Sequence, residues 1–260
     1  LIKKFLIADT LAQITSIYIN NNVEFTFSFL SSFLLIFSYT FQIYFDFSAY
    51  CDIAIGIGLL FGFKLPENFN RPYTSSSFQE FWRRWHITLS NFFKNFVYIP
   101  LGGNRTTKLK NFRNLWITFF LTALWHGATL NFIIWGFFHG FFLTFEKIIG
   151  YKRYFSNRYV TFLLISLSWV PFFSNSFDDS LNIISSLFVL NIYEDNFLPV
   201  AVQYLNFKFL FVLIFCFLSL ITSINLIQFK KNIYFNFALL TFSIFIVLSS
   251  SIDPFIYFKF

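Results

Sequence analysis

Charge is what this sequence most lacks. Only 12% of its 260 residues are Asp, Glu, Lys or Arg, about half the share usual in soluble domains. A soluble globular domain is thereby excluded. With 57% hydrophobic residues and repeated apolar runs near the roughly 20 residues that cross a bilayer, the chain reads as an integral membrane protein. Methionine is absent, even at position 1, as expected of a fragment or processed piece of a longer chain. The 46 phenylalanines read as codon bias and carry no mechanism. Cysteine is almost absent too: Cys51 and Cys216 match no metal or redox spacing, so both are expected to be small apolar packing residues. There is no GxSxG elbow, Walker loop or HExxH, and His86, His126 and His139 lack metal-ligand spacing. No metal is expected. Leu1–Asn20 carries Asp9 and no small-residue cleavage pattern, so it is not a cleavable signal. Repeats and Pro- or Gly-rich linkers are missing, which leaves one polytopic transmembrane domain over 1–260.

What is present is a series of spans with a charge pattern. Candidate spans are Phe25–Phe45, Leu115–Leu130, Phe132–Phe145, Tyr159–Phe173, Phe207–Ile227 and Tyr234–Ser250. Leu1–Ile19 is weaker, and Phe47–Phe63 is a helix able to continue the first span. The expectation is an all-α bundle of about six to eight membrane helices. The 115–145 pair is short for full crossings, with Gly127–Asn131 as its turn, and is compatible with a re-entrant hairpin. Lys64–Arg113 holds nine of the nineteen Lys and Arg residues, and Lys147, Lys152, Arg153, Arg158, Lys230 and Lys231 form further basic loops. Asn175–Pro199 has Asp178, Asp179, Glu194 and Asp195 and no basic residue. The positive-inside rule sends the basic loops to the cytoplasm and 175–199 outside. The net charge of +7 is thus a topology signal; a nucleic-acid partner would need a soluble basic face.

The most polar stretch is Asn68–Asn104. Pro66 and Pro72 break helices, and Ser76 or Ser77 followed by Gln79 and Glu80 opens a helix with a capping box. From Phe78 to Phe96 aromatics alternate with Arg83, Arg84 and Lys94, which suits an amphipathic helix lying in the membrane interface among lipid headgroups. Ile99–Asn104 (IPLGGN) is a tight turn with no anchoring logic. Gly56–Gly62 resembles a dinucleotide fingerprint but has the wrong spacing and follows no strand, so close helix packing through small residues is the better account. Asp46 and Asp52 lie in or beside an apolar run, where a carboxylate either pairs with a base, here an arginine, or lines a functional cavity. His126 is the sharpest signal, an ionisable side chain expected deep within a membrane helix. At such depth it is a site by default, with interhelical hydrogen bonding as the competitor. A neutral imidazole can take a proton from a hydroxyl.

FDFSAYCDIAIG, LPENFNRPY, FQEFWRRWHITLSNFFKNFVYIPLGGNR, LWHGATLNFIIWGFFHG and the terminal DPFIYFKF fall in one order along nearly the whole chain. Together they resemble the membrane-bound O-acyltransferase family, in its bacterial alginate and peptidoglycan O-acetyltransferase branch. The resemblance implies a multi-pass cell-membrane enzyme with a polar funnel and no bound cofactor. Its donor would be a cytoplasmic thioester, acetyl-CoA, and an extracytoplasmic esterase-like partner would place the acetyl group on a polysaccharide. It makes His126, in the WHG motif, the essential residue. His86, forty residues earlier, is the second polar position, which is His in this branch and Asn or Asp in eukaryotic relatives. His126 would deprotonate the acceptor or relay the acyl group, and His86 would orient or polarise the thioester carbonyl. Arg83, Arg84 and Arg105, with Asn104 and Trp85, are the candidates for donor binding, since guanidinium suits phosphate; lipid headgroups are the alternative for the arginines. His139 is packing support. Two departures stand out: Cys51 replaces a usual Ser, and several spans that usually precede Leu1–Leu11 are absent. Rival readings are D-alanyl transfer to teichoic acid by a sister branch, and a membrane transporter without chemistry.

Overall fold

The computed structural model describes residues 1–20, 24–150, 157–190, 193–221 and 233–249. The DPFIYFKF terminus and the basic positions Lys152, Arg153, Lys230 and Lys231 lie outside them. Every regular element among the described residues is helical. A π-helical turn at Lys3–Ala8 leads into α1 (Asp9–Asn20), followed by α2 (Phe29–Leu60), α3 (Phe78–Arg84) and α4 (Ile87–Phe93). A π-helical stretch, Lys94–Tyr98, precedes α5 (Lys108–His126), α6 (Leu130–Ile149), α7 (Arg158–Ser168) and α8 (Val170–Phe173). The chain continues through α9 (Phe177–Ser185), α10 (Leu198–Val202), α11 (Phe207–Ile221) and α12 (Ile233–Ser249). Two of these, α2 and α6, are long and apolar enough to cross a membrane, while α11 and the α7–α8 stretch are apolar but shorter.

The helices fall into two compact units, Leu1–Leu65 with the described part of Ser186–Lys259, and Pro66–Ser185. In the first, α2 is one uninterrupted helix of 32 residues, so Phe47–Phe63 does continue the first candidate span. At 1.5 Å per residue it is roughly 48 Å long, more than a ~30 Å hydrocarbon core requires. Its start is fixed by Asp195, whose carboxylate accepts from the Ser28 amide at 3.0 Å and hydroxyl at 2.5 Å. The same carboxylate accepts the Leu198 amide at 2.7 Å and so starts α10. Buried Asp46 is paired with a lysine from the N-terminal π-turn, where an arginine was expected: Lys4 lies 2.9 Å from Asp46 and 2.8 Å from Asp9. Asp52 is at the surface, 2.7 Å from Lys3. The Gly56–Gly62 stretch is not a helix-packing seam among the described residues. Gly56 faces open space, Gly58 makes room for Leu65, and Gly62 (φ 81°) turns the chain.

The second unit is built on the α5–α6 hairpin. A Cβ on Gly136 would lie 2.7 Å from the Ala123 Cβ and from the Phe119 carbonyl, so glycine sets how close the arms come. Both arms run beyond the apolar stretches, because Lys108–Arg113 and Glu146–Lys147 are helical as well. The 159–173 span is broken at Trp169, since Pro171 has no amide to continue the ladder. The expected amphipathic helix from Phe78 to Phe96 is also broken. It divides at Trp85–His86, where His86 takes a left-handed conformation (φ 43°, ψ 55°).

Candidate active site

The start of α3 matches the capping signal. Ser77 accepts the Glu80 amide at 3.0 Å, and Glu80 reaches back to the Ser76 amide and hydroxyl at 2.7 and 2.8 Å. Glu146, from α6, takes the next free amides, those of Phe78 at 2.6 Å and Gln79 at 3.0 Å. Arg84 closes the segment with an ion pair to Glu80 at 2.5 Å and a hydrogen bond to Thr74 at 3.0 Å. Burial would raise the Glu80 pKa, but the Ser76 bonds and the Arg84 and Arg83 charges outweigh it and hold the carboxyl below its ordinary value.

The break after α3 is held by the Asn68–Asn70 strand of chain. The Asn70 amide donates to the Arg84 carbonyl at 2.9 Å and the Ile87 amide to the Asn68 carbonyl at 3.0 Å. The Asn68 side-chain oxygen accepts the Thr88 amide at 3.1 Å and hydroxyl at 2.9 Å, and lies 3.3 Å from His86 Nδ1. A backbone amide can only donate, which fixes that Asn68 atom as the oxygen. His86 Nδ1 is therefore the N–H donor, and Nε2 carries the lone pair. Burial pushes the His86 pKa down to about 4, so near neutral pH the ring is uncharged. An uncharged ring of this tautomer cannot polarise a carbonyl by donating from Nε2; it can accept a proton there.

His126 is the last residue of α5, half-buried, with Gly127 (φ 153°) immediately after it. A Cβ on Gly127 would meet the Phe132 ring at 2.8 Å, so glycine lets the turn close over that ring. The His126 ring lies among aromatics, with centroids at 4.8 Å to Trp125, 4.9 Å to Phe172, 5.2 Å to Trp135 and 6.0 Å to Phe132. Trp125 also contacts His86 at 6.2 Å. The two imidazoles are close enough to interact electrostatically. His139 is fully buried, and its Nδ1 accepts the Trp82 indole N–H at 3.2 Å, fastening α3 to α6.

Trp82 also lines a cavity of about 1250 Å³ walled from α3–α4, the 94–106 segment, α5 and α6; His86, His126 and His139 are not among its lining residues. Arg83, Asn104 and Arg105 are on its wall, together with Lys94 and Lys147. Arg84 and Trp85 are not among the lining residues. Trp85 is buried against Phe81 (5.5 Å, stacked) and Trp169 (4.9 Å). The IPLGGN turn forms the cavity rim and is tied to the hairpin. Asn111 donates to the Gly103 carbonyl at 2.7 Å, Asn114 to the Leu101 carbonyl at 2.9 Å, and Lys147 to Asn111 at 2.5 Å. The turn that lacked an anchoring logic in the sequence is thus held from α5 and α6. Asn68, Asn111, Asn114 and Glu146 were not singled out from the sequence, and Lys147 was read only as part of a basic loop. Asn111 and Asn114, three apart at the start of a span, were the available signal, being polar on one helical face.

This assembly of helices belongs to a known class. Residues 1–175 match the model of the membrane-bound O-acyltransferase (MBOAT) family; the chain is a member of that family. Among its relatives is the peptidoglycan O-acetyltransferase of Helicobacter pylori, 43% identical over 199 residues, which are 74% of this chain and 37% of that protein. The probable alginate O-acetylase AlgI of Pseudomonas syringae is 47% identical over 67% of this chain and 34% of its own length. The teichoic acid D-alanyltransferase of Bacillus subtilis is 35% identical over 54% of this chain and 38% of its own. The chain spans little more than a third of the length of these relatives.

Proposed function

We propose that the chain is the catalytic portion of a membrane O-acetyltransferase. It moves an acetyl group from a cytoplasmic thioester, acetyl-CoA, across the cell membrane to a cell-surface polysaccharide, peptidoglycan or alginate-like. The observation that carries this reading is the basic cavity, walled by Ile87 next to His86 and by Thr122 one helical turn before His126. Arg83, Arg105 and Asn104 on its wall suit a phosphate-bearing donor, because guanidinium forks match phosphate oxygens. Arg84 and Trp85, tied into the core of the segment, act by holding it in place. His126 takes the proton from the acceptor hydroxyl as the oxygen attacks the thioester carbon. His86, neutral and with its lone pair on Nε2, is the second proton acceptor and orients the reacting groups.

On this reading 1–260 works as one multi-pass domain, and the family match runs across both compact units. The further elements of the proposal are six to eight membrane helices around a polar funnel, a cytoplasmic face at the basic loops, and an extracytoplasmic esterase-like partner. The Bacillus relative supports a second reading, transfer of a D-alanyl group. Membranes carrying the protein, supplied with labelled acetyl-CoA, are expected to transfer label. His126→Ala is expected to lower the rate by about 10²–10⁴, the range of general-base catalysis. Full activity of His126→Ala at normal expression would refute the catalytic assignment, and label transferred only from a D-alanyl donor would favour the second reading.

A further inference from the structure

Three nitrogen donors are buried in the aromatic cluster that Trp135 joins to His126, without an acceptor among the described residues. Trp135 and Trp169 are each 1% exposed and His139 is fully buried; Trp135 Nε1, Trp169 Nε1 and His139 Nε2 have no hydrogen-bond partner. His139 Nδ1 accepts from Trp82, so in the neutral ring it is Nε2 that bears the hydrogen. The three rings are neighbours, with Trp135 4.8 Å from His139 and 6.2 Å from Trp169. Trp135 stands edge-on to His126 at 5.2 Å and 85°. Buried donors are nearly always satisfied, and an exception calls for an account. Here three exceptions share one aromatic cluster, and one of them touches the proposed base. A cluster holding three unanswered donors is complementary to an oxygen that only accepts, such as an acyl carbonyl. The reaction also needs such a donor, because His86 has its lone pair, and not a hydrogen, on Nε2.

We propose that Trp135 donates its indole N–H to the carbonyl oxygen of the acyl group, with Trp169 and His139 forming the rest of the donor wall. This rests on the acyltransfer reading above. As the acceptor hydroxyl oxygen bonds to the carbonyl carbon, His126 takes the hydroxyl proton and the carbonyl π pair moves onto oxygen. The resulting oxyanion is held by the Trp135 N–H. When the pair returns, the C–S bond breaks, and the thiolate takes the proton from His126. The wall works without rearrangement because its donors are already fixed and dry.

The experiment compares Trp135→Phe with the wild type and His126→Ala in membranes, using acetyl-CoA as donor. Phe keeps the ring and deletes only the N–H, so kcat is expected to fall about 10²–10³-fold, as for loss of one oxyanion donor, with KM for acetyl-CoA little changed. A packing role would instead shift thermal stability and leave kcat alone. Unchanged kcat in Trp135→Phe beside an inactive His126→Ala overturns this proposal and leaves the acyltransfer reading intact. Unchanged activity in both variants overturns the parent reading. A second measurement needs no variant: the infrared carbonyl band of [1-¹³C]acetyl-CoA is expected at lower wavenumber bound to the wild-type protein than free. A band at the free position overturns the proposal.

Discussion

Removing the Asn68 side-chain amide is the most direct perturbation of the site, because it leaves both imidazoles chemically intact and deletes only the partner of one. His86 is held left-handed, φ 43°, a conformation that costs a non-glycine residue about 1–2 kcal/mol. Asn68 opposes that cost by accepting from the Thr88 amide, the Thr88 hydroxyl and His86 Nδ1. Each such bond contributes about 0.5–1.5 kcal/mol net. Thr88 is only half-buried, so water replaces part of what is lost, and Asn68→Ala is expected to destabilise the protein by roughly 2 kcal/mol. That loss is comparable with the strain at His86, so the Trp85–His86 break loses its main side-chain support. The imidazole then loses both its position and its fixed tautomer. The assay is a thermal midpoint of the detergent-solubilised protein beside its acetyl-transfer rate. Turnover is expected to fall at least about tenfold at temperatures well below the midpoint, since a small misplacement of a reacting group costs up to 10². Asn68→Asp, which keeps an acceptor oxygen, is expected to retain more stability than Asn68→Ala. Wild-type turnover in a destabilised Asn68→Ala protein would refute the claim that this bond positions His86 for chemistry.

Acidification is expected to weaken the fold through His86. Its folded pKa of about 4 lies below the ordinary 6.5, so the unfolded chain binds more protons between the two. The contribution is present above pH 6.5 and is lost as pH falls toward 4, by up to roughly 3 kcal/mol. In a pH series of thermal midpoints, His86→Asn should flatten this part of the slope; an unaltered slope would show that other groups cause it. Gly136→Ala places a methyl 2.7 Å from the Ala123 Cβ and the Phe119 carbonyl, so overpacking should cost about 1–3 kcal/mol. A midpoint equal to wild type would mean the hairpin arms separate freely. Lys4→Met leaves buried Asp46 and partly buried Asp9 without their shared ammonium and is expected to cost about 3–5 kcal/mol, as for a broken buried pair. Asp46→Asn in the same background should recover part of it, and failure to do so would place the cost outside the pair.

Much of the helical framework was legible in the sequence because apolar length and punctuation act locally. The α5–α6 turn was marked by Gly127, and the α3 start by Ser77 and Glu80, each of which works within a few residues of itself. The features that were not legible depend on partners far along the chain. The Phe78–Phe96 pattern is that of one amphipathic helix, yet Asn68, eighteen residues before His86, divides it by offering acceptors that a continuous helix would not need. Likewise a charge pattern marks Asp46 as costly, but nothing local says that the answering cation is Lys4. Arg83 and Arg84 are adjacent and identical in type, and only the fold separates them. One lines the cavity, while the other is spent on Glu80 and Thr74.

The residue at position 86 shows how backbone and chemistry can demand the same side chains. Histidine, asparagine and aspartate are the non-glycine residues most enriched in the left-handed region, and they are also the three that the family resemblance allows there. A preference for these three types at this position would follow from the φ of 43° before any proton transfer is invoked, and would not by itself mark a catalytic residue. What separates the two demands is the far side of the ring. Asparagine can adopt the left-handed turn and donate to Asn68 as Nδ1 does, but it places nothing where Nε2 stands. If the turn alone matters, His86→Asn keeps both the fold and the acetyl transfer. If the Nε2 lone pair is used, the fold survives and the transfer is lost, and that is the outcome expected from the tautomer that Asn68 imposes.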